Sequence, residues 1–152
     1  MDISKLKFGD IVLIETDGSF TARLVQLCTK TKYVHCGLYV GEGNIADIDA
    51  RYSAGIRSLS LWEDDRIKAL RMDTVEFDKS KRALIQYFID KNKNAKYDWK
   101  DCLMMFFNQP PIKDDHFNCI SFLSEMLEYA CIHNDFTSFK KIVESNSLRT
   151  II

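Results

Sequence analysis

Residues 33–50 read "YVHCGLYVGEGNIADIDA". Two β-prone runs, 33–40 and 44–50, flank the glycine-rich "GEG", the pattern of a β-hairpin. Alternation along the first run puts Gly37 and Tyr39 on the face of His35 and sends the adjacent Cys36 to the other face. Gly37 leaves room beside the imidazole. With a three-residue loop, Glu42 to Asn44, Tyr39 faces Asp47, Gly37 faces Asp49 and His35 faces Arg51. Asp49 is then diagonal to His35 and within reach. A loop of even length would turn Asp49 to the opposite face. Taken alone, His35 is open to three readings: a satisfied core histidine, a metal ligand, or the base of a catalytic pair.

Upstream, "FGDIVLIET" is rich in β-branched residues after a Gly-Asp turn and predicts a buried strand over 10–15. "DGSFTARLVQLCTK" offers Ser19 as an N-cap, with Leu24, Leu27 and Cys28 at helical spacing. Downstream, "GIRSLSL" (55–61) and "RIKALRM" (66–72) alternate as strands, so about five strands are expected in an antiparallel sheet.

From residue 78 the period changes. "DKSKRALIQYFIDKNKN" predicts a helix capped by Asp78 or Ser80, with Leu84, Tyr87 and Phe88 on one face. "YDWKDCLMMFFNQPP" predicts a second, capped by Asp98, apolar through Phe107 and ended by the two prolines. "DDHFNCISFLSEMLEYACIHN" carries Phe122, Leu123, Met126, Leu127 and Ala130 at spacings of three and four, with Cys119 in or just before its first turn. "TSFKKIVESN" closes the chain as a short helix starting after Asp135 or Thr137. No repeat or linker divides residues 1–152, so one α+β domain is expected, its antiparallel sheet or partly open barrel packed against helices.

Lys and Arg number 21 against 22 Asp and Glu, which leaves no net field to draw nucleic acid or an anionic membrane. No apolar run approaches the roughly 20 residues of a membrane span. The polar opening "MDISKLKFGD" lacks the layout of a signal peptide, so a cytoplasmic protein is expected. Five irregularly spaced cysteines (Cys28, Cys36, Cys102, Cys119, Cys131) argue against a disulfide framework in such a chain.

A thiol attacks as the thiolate, and a helix N-terminus favours that anion. Cys119 stands where this operates. Its base must be an imidazole on a rigid element. His116 belongs to the loop before the helix. His133 lies beyond the far end of that helix, roughly 20 Å from Cys119 at 1.5 Å per residue. His35, on a strand, is the remaining partner. His116, Cys119, Cys131 and His133 lack the spacing of a zinc site, and the helix holds the two pairs too far apart to share an ion. The bland readings are a buried structural thiol for Cys119, a turn or surface residue for Asp49, and plain core for Met104, Met105, Phe106 and Phe107 in place of an acyl pocket.

The order "GDIVLI", "TKYVHCGLYVGEG", "IADIDARYSAGIRSLSL", "KYDW", "FNCISFLSEML" resembles the circularly permuted papain-like fold of the NlpC type, in its YiiX/YebB-like branch. The resemblance spans about residues 8–130. It implies His35 as general base, Cys119 as nucleophile and Asp49 at the acidic position, where that branch commonly has Glu; Asp47 is the fallback. It also implies a cysteine hydrolase that cleaves an amide bond through an acyl-enzyme, with a peptide or cell-wall peptide as substrate and no cofactor. Lecithin-retinol acyltransferase-like relatives use the same chemistry on lipid acyl groups, so a lipid acyltransferase or lipid hydrolase is the alternative, and a catalytically inactive binding module the third reading.

Overall fold

The structure, a computed structural model, describes residues 2–15, 20–62, 66–98, 100 and 116–152. The strands are β1 (Ile11–Glu15), β2 (Tyr33–Gly41), β3 (Asn44–Asp49), β4 (Tyr52–Ser58), β5 (Arg66–Met72) and β6 (Leu148–Thr150). The α-helices among the described residues are α1 (Phe20–Thr29), α2 (Lys79–Asn92), α3 (Cys119–Tyr129) and α4 (Phe139–Glu144). All strand pairs are antiparallel, in one open sheet of order β4-β3-β2-β1-β5-β6. The class is therefore α+β, with six strands in place of about five.

Central strand β1 explains its own composition. Ile11, Val12, Leu13 and Ile14 are all fully buried, because both faces of the sheet are covered. One face, with Ile11, Leu13, Cys36, Leu38, Ala46 and Ile48, packs on α2, α3 and α4. The other, with Val12, Ile14, Tyr39 and Ile45, is covered by Leu6, by Leu59 and Trp62 of a single 3-10 turn (Leu59–Trp62), and by the C-terminal isoleucines. The Gly-Asp turn before β1 proves structural: buried Asp10 accepts from Lys7 N–H at 2.8 Å and holds Arg71 of β5 by two bonds of 2.7 Å.

In helix α3, Phe122, Leu123, Met126 and Leu127 are fully buried, each contributing about 1.5–3 kcal/mol. Helix α2 is capped by Asp78, which accepts from Lys81 N–H at 2.8 Å. Its buried stripe is Ile85, Phe88 and Ile89, rotated from the expected Leu84, Tyr87 and Phe88, and Tyr87 is 58% exposed. Ser138 caps the terminal helix. The helix expected after Asp98 falls largely outside the described residues, as do Ser19 and Cys102; Asp98 does accept from Lys100 N–H at 2.6 Å. No helix among the described residues is long and apolar enough to cross a membrane.

The hairpin differs from the expected register in two compensating ways. Its loop has two residues, Glu42 and Gly43, both at positive φ (52° and 74°), between the paired Gly41 and Asn44. That even loop by itself would have reversed the faces. One residue later Tyr39 pairs with Ile45 and Leu38 with Ala46, so Val40 is an extra residue on β2. The bulge restores odd-to-odd pairing, displaced by two positions: Tyr39 faces Ile45 instead of Asp47.

Candidate active site

Beyond Leu38↔Ala46 no β2–β3 pair is formed among the described residues, although β2 continues along β1 to Tyr33 and β3 along β4 to Asp49. Helix α3 packs against both strands at this parting. Its cap explains why the helix begins there. Asn118 accepts from Ile120 and Ser121 N–H at 2.8 and 2.9 Å, and the Ser121 hydroxyl accepts from Asn118 N–H at 3.0 Å. This capping box does not use the N–H of Cys119, the first helical residue.

Cys119, His35 and Cys36 are all buried here, and the Cys119 thiol interacts electrostatically with both His35 and Cys36. His35 and Cys36 are consecutive and point to opposite faces of β2. His35 Nε2 lies 2.6 Å from Asp47 Oδ2, which makes Nε2 the donor to the carboxylate and leaves Nδ1 as the nitrogen free to serve the thiol. The ring stacks on Trp62, centroids 5.4 Å apart and planes 19° from parallel.

Asp47 owes its place to two glycines. It pairs with Gly55 of β4, and across the parting it abuts Gly37, where an added Cβ would stand 2.9 Å from Ala46 O and 3.1 Å from Asp47 Cβ. Arg57, two residues beyond Gly55 on the same face, reaches back to donate to the Asp47 carboxylate and its carbonyl, and to Ser53 O. Asp47 is fully buried in the side chain and Arg57 only 14% exposed.

Asp49, expected beside His35, instead accepts from Arg51 N–H at 2.8 Å and from Arg51 Nε at 2.9 Å. The displaced register and the β3–β4 irregularity between Asp47 and Asp49 turn it to the Arg51 corner. Burial pushes its carboxyl up, and the Arg51 hydrogen bond with the charge of His35 more than offsets this, so it lies below the usual value. His116 and His133 are exposed, before and beyond α3.

Electrostatically, Cys119, His35, Asp47 and Arg57 form a chain of alternating sign with no net charge, the arrangement that makes buried ions tolerable. Burial alone would pull the His35 pKa down. The Asp47 hydrogen bond and the adjacent sulfur outweigh it and push the value up to about 10. For Cys119 the hydrogen bond from Cys36 comes first, burial opposes it, and His35 completes a shift down to about 5. Both shifts run in the direction that favours a thiolate beside an imidazolium.

Arg57, Trp62 and Cys36 were not singled out for the site by their sequence. The available signal was alternation along β4, which puts Gly55 and Arg57 on one face; nothing local marks Trp62 as the residue stacked on His35.

No protein-family model matches the chain, and no curated protein matches it. Among solved structures it is similar to the crystal structure of metalloprotein yiiX from Escherichia coli, with TM-score 0.73 and 13% identity over 97% of each chain. The fold is thus YiiX-like. That protein is described as a metalloprotein; in this chain no group of three or more His, Cys, Asp or Glu among the described residues is arranged to hold an ion. His35 Nε2 is moreover committed to Asp47. The described residues do not fit a metal centre.

Proposed function

We propose that this chain is a thiol-dependent hydrolase of the permuted papain-like kind, cleaving an amide bond in a peptide or cell-wall peptide through an acyl-enzyme. The observation that carries the reading is a buried imidazole held at Nε2 by a buried carboxylate, with a helix-first cysteine interacting electrostatically with the same ring. Cys119 Sγ attacks the carbonyl carbon. The oxyanion forms beside the Cys119 N–H, the first-turn donor outside the capping box, where the helix dipole also favours negative charge. His35, protonated at rest, gives its Nδ1 proton to the departing amine and then takes one from the water that releases the acyl group. Asp47 fixes the ring and balances its charge.

The test is a panel of peptide amides and acyl esters, read by product release and by intact mass for an acyl adduct on Cys119. Amide turnover should fall by about 10⁴-fold in Cys119→Ala, with loss of the adduct. Turnover unchanged in that variant, or no turnover by the wild type on any amide, overturns the proposal; an adduct formed only from acyl esters would point to the lipid acyl chemistry instead.

A further inference from the structure

β4 is the outer strand of the sheet, where a charged side chain ordinarily points into water. Arg57 does not: its side chain is only 14% exposed and doubles back along its own strand. It pairs with Ile45, two residues along from Gly55, the partner of Asp47. Gly55 has no side chain to stand in the way, and a Cβ built there would lie 3.7 Å from Arg57 Nη2, so any longer side chain takes the space the guanidinium uses. Four groups hold that guanidinium. Nη1 donates to Asp47 Oδ1 and, at 3.3 Å, to the Asp47 carbonyl; Nη2 donates to Ser53 O; the Tyr52 ring lies 5.2 Å away. A hydrogen-bond donor of any kind would satisfy the second oxygen of a buried carboxylate, whereas a cation is needed only where buried charges must balance.

We propose that Arg57 is a positioning residue of the site, which acts through Asp47 to fix the carboxylate on the His35 ring and supplies the second positive charge that keeps Cys119 ionised in mildly acidic solution. The inference deepens the preceding reading and rests on it for the roles of Cys119, His35 and Asp47, but it requires no cleavage.

The positional part follows from the two carboxylate oxygens. Oδ2 lies 2.6 Å from His35 Nε2 and Oδ1 is taken by Arg57, so the carboxylate cannot turn about its own bond without breaking one ion pair. The ring is thereby kept with Nε2 on Asp47 and Nδ1 free.

The electrostatic part follows from the sum of charges. Among the described residues, Asp47 meets His35 from β2 and Arg57 from β4, with Cys119 at the start of α3 beyond the ring. Asp49, the other acid of β3, is turned to Arg51, which lies over the same Tyr52 ring at 5.4 Å. Thiolate, imidazolium and carboxylate alone leave one negative charge in a buried place, and a proton taken up on sulfur would discharge it. Arg57 brings the sum to zero with the sulfur still ionised. Loss of a nearby cation makes every deprotonation around it harder, so removing Arg57 moves the titrations of Cys119 and His35 upward together. A role confined to packing would lower the melting temperature and leave both where they are.

The test uses the full chain with iodoacetamide as the probe, and Cys119 labelling followed by peptide mass as a function of pH. In Arg57→Gln the labelling midpoint should rise by about one unit. Arg57→Lys keeps the charge without the forked geometry and should bring the midpoint back near the wild-type value. Arg57→Met, which keeps the apolar stem, and Gly55→Val, which keeps the arginine but takes its space, should act as Arg57→Gln does and decide the matter where that variant does not fold. A wild-type midpoint in the folded charge-removing variant, or a midpoint displaced as far in Arg57→Lys as in Arg57→Gln, overturns the proposal whatever the melting temperature does. Midpoints that move in a protein that cleaves no amide sustain the role of Arg57 and sink the hydrolase reading; amide turnover with unmoved midpoints does the reverse, so the two failures are distinct.

Discussion

Asp47 holds two cationic partners at once, His35 on one carboxylate oxygen and Arg57 on the other. Removing its charge leaves a buried imidazolium facing a neutral amide and frees the ring to turn. Asp47→Asn should therefore lower amide turnover by roughly 10²- to 10⁴-fold, read as kcat/KM on the best amide of the panel. Asp49→Asn breaks the contact with Arg51, whose side chain is 61% exposed, and removes a charge that His35 feels without a direct bond, so it should cost far less turnover and at most about 1 kcal/mol of stability by thermal melt. Equal losses in the two variants would contradict this assignment. The proton balance gives a second prediction. A thiol lowered to about 5 from its ordinary value of 9.0 contributes stability that is present above the unfolded value and is lost as pH falls through about 5. An imidazole raised to about 10 from 6.5 contributes stability that is present below 6.5 and is lost as pH rises through about 10. Iodoacetamide labelling of Cys119 should accordingly rise with a midpoint near 5, whereas thiols of the denatured chain rise near 9.0; a folded-state midpoint at that ordinary value would refute the ion pair. Residue type and position were enough to single out His35 and Cys119 as candidates. They were not enough to choose between Asp47 and Asp49, which share a face two residues apart.

At the scale of elements, the choice between the two carboxylates lies in one bulge. The glycine pattern announced a hairpin, but both a two-residue and a three-residue loop are compatible with "GEGN". Gly41, at positive φ beside the bulge, is equally compatible with a plain turn, so residue type did not locate the extra residue at Val40. Gly37 was legible as a space beside His35; that the space is filled by the backbone of β3 and by Asp47 required the register. Gly37→Ala puts a methyl 2.9 Å from Ala46 O, and the backbone neighbour cannot swing aside. The variant should lose about 1–3 kcal/mol and shift the Cys119 labelling midpoint upward as Asp47 is pushed from the ring. A melt and midpoint matching the wild type would show that the parting of β2 and β3 is wider than described.

Across the whole molecule, the site occupies the β2–β3 parting and α3, while the opposite edge of the sheet is closed by the last residues of the chain. Ala69 of β5 donates to Ile152 O at 3.0 Å and accepts from Ile151 N–H at 2.8 Å, and β6 pairs beside it. The three-residue strand "LRT" escaped the sequence reading because nothing in its composition distinguishes it from a helix exit; the exposed edge of β5 makes it a strand. Truncation after Asn146 should lower the melting temperature by uncovering that edge, yet leave the Cys119 labelling midpoint at its full-length value. A midpoint that moved with the truncation would mean that the site is held by the far edge as well.

The stacking of Trp62 on His35 has an optical consequence. A charged imidazole quenches the emission of an indole it lies against, and Trp62 lies in that contact. The fluorescence of Trp62 is thus a built-in gauge of the proton on His35, dim while the ion pair stands and brightening as alkali removes it, with no label and no substrate added.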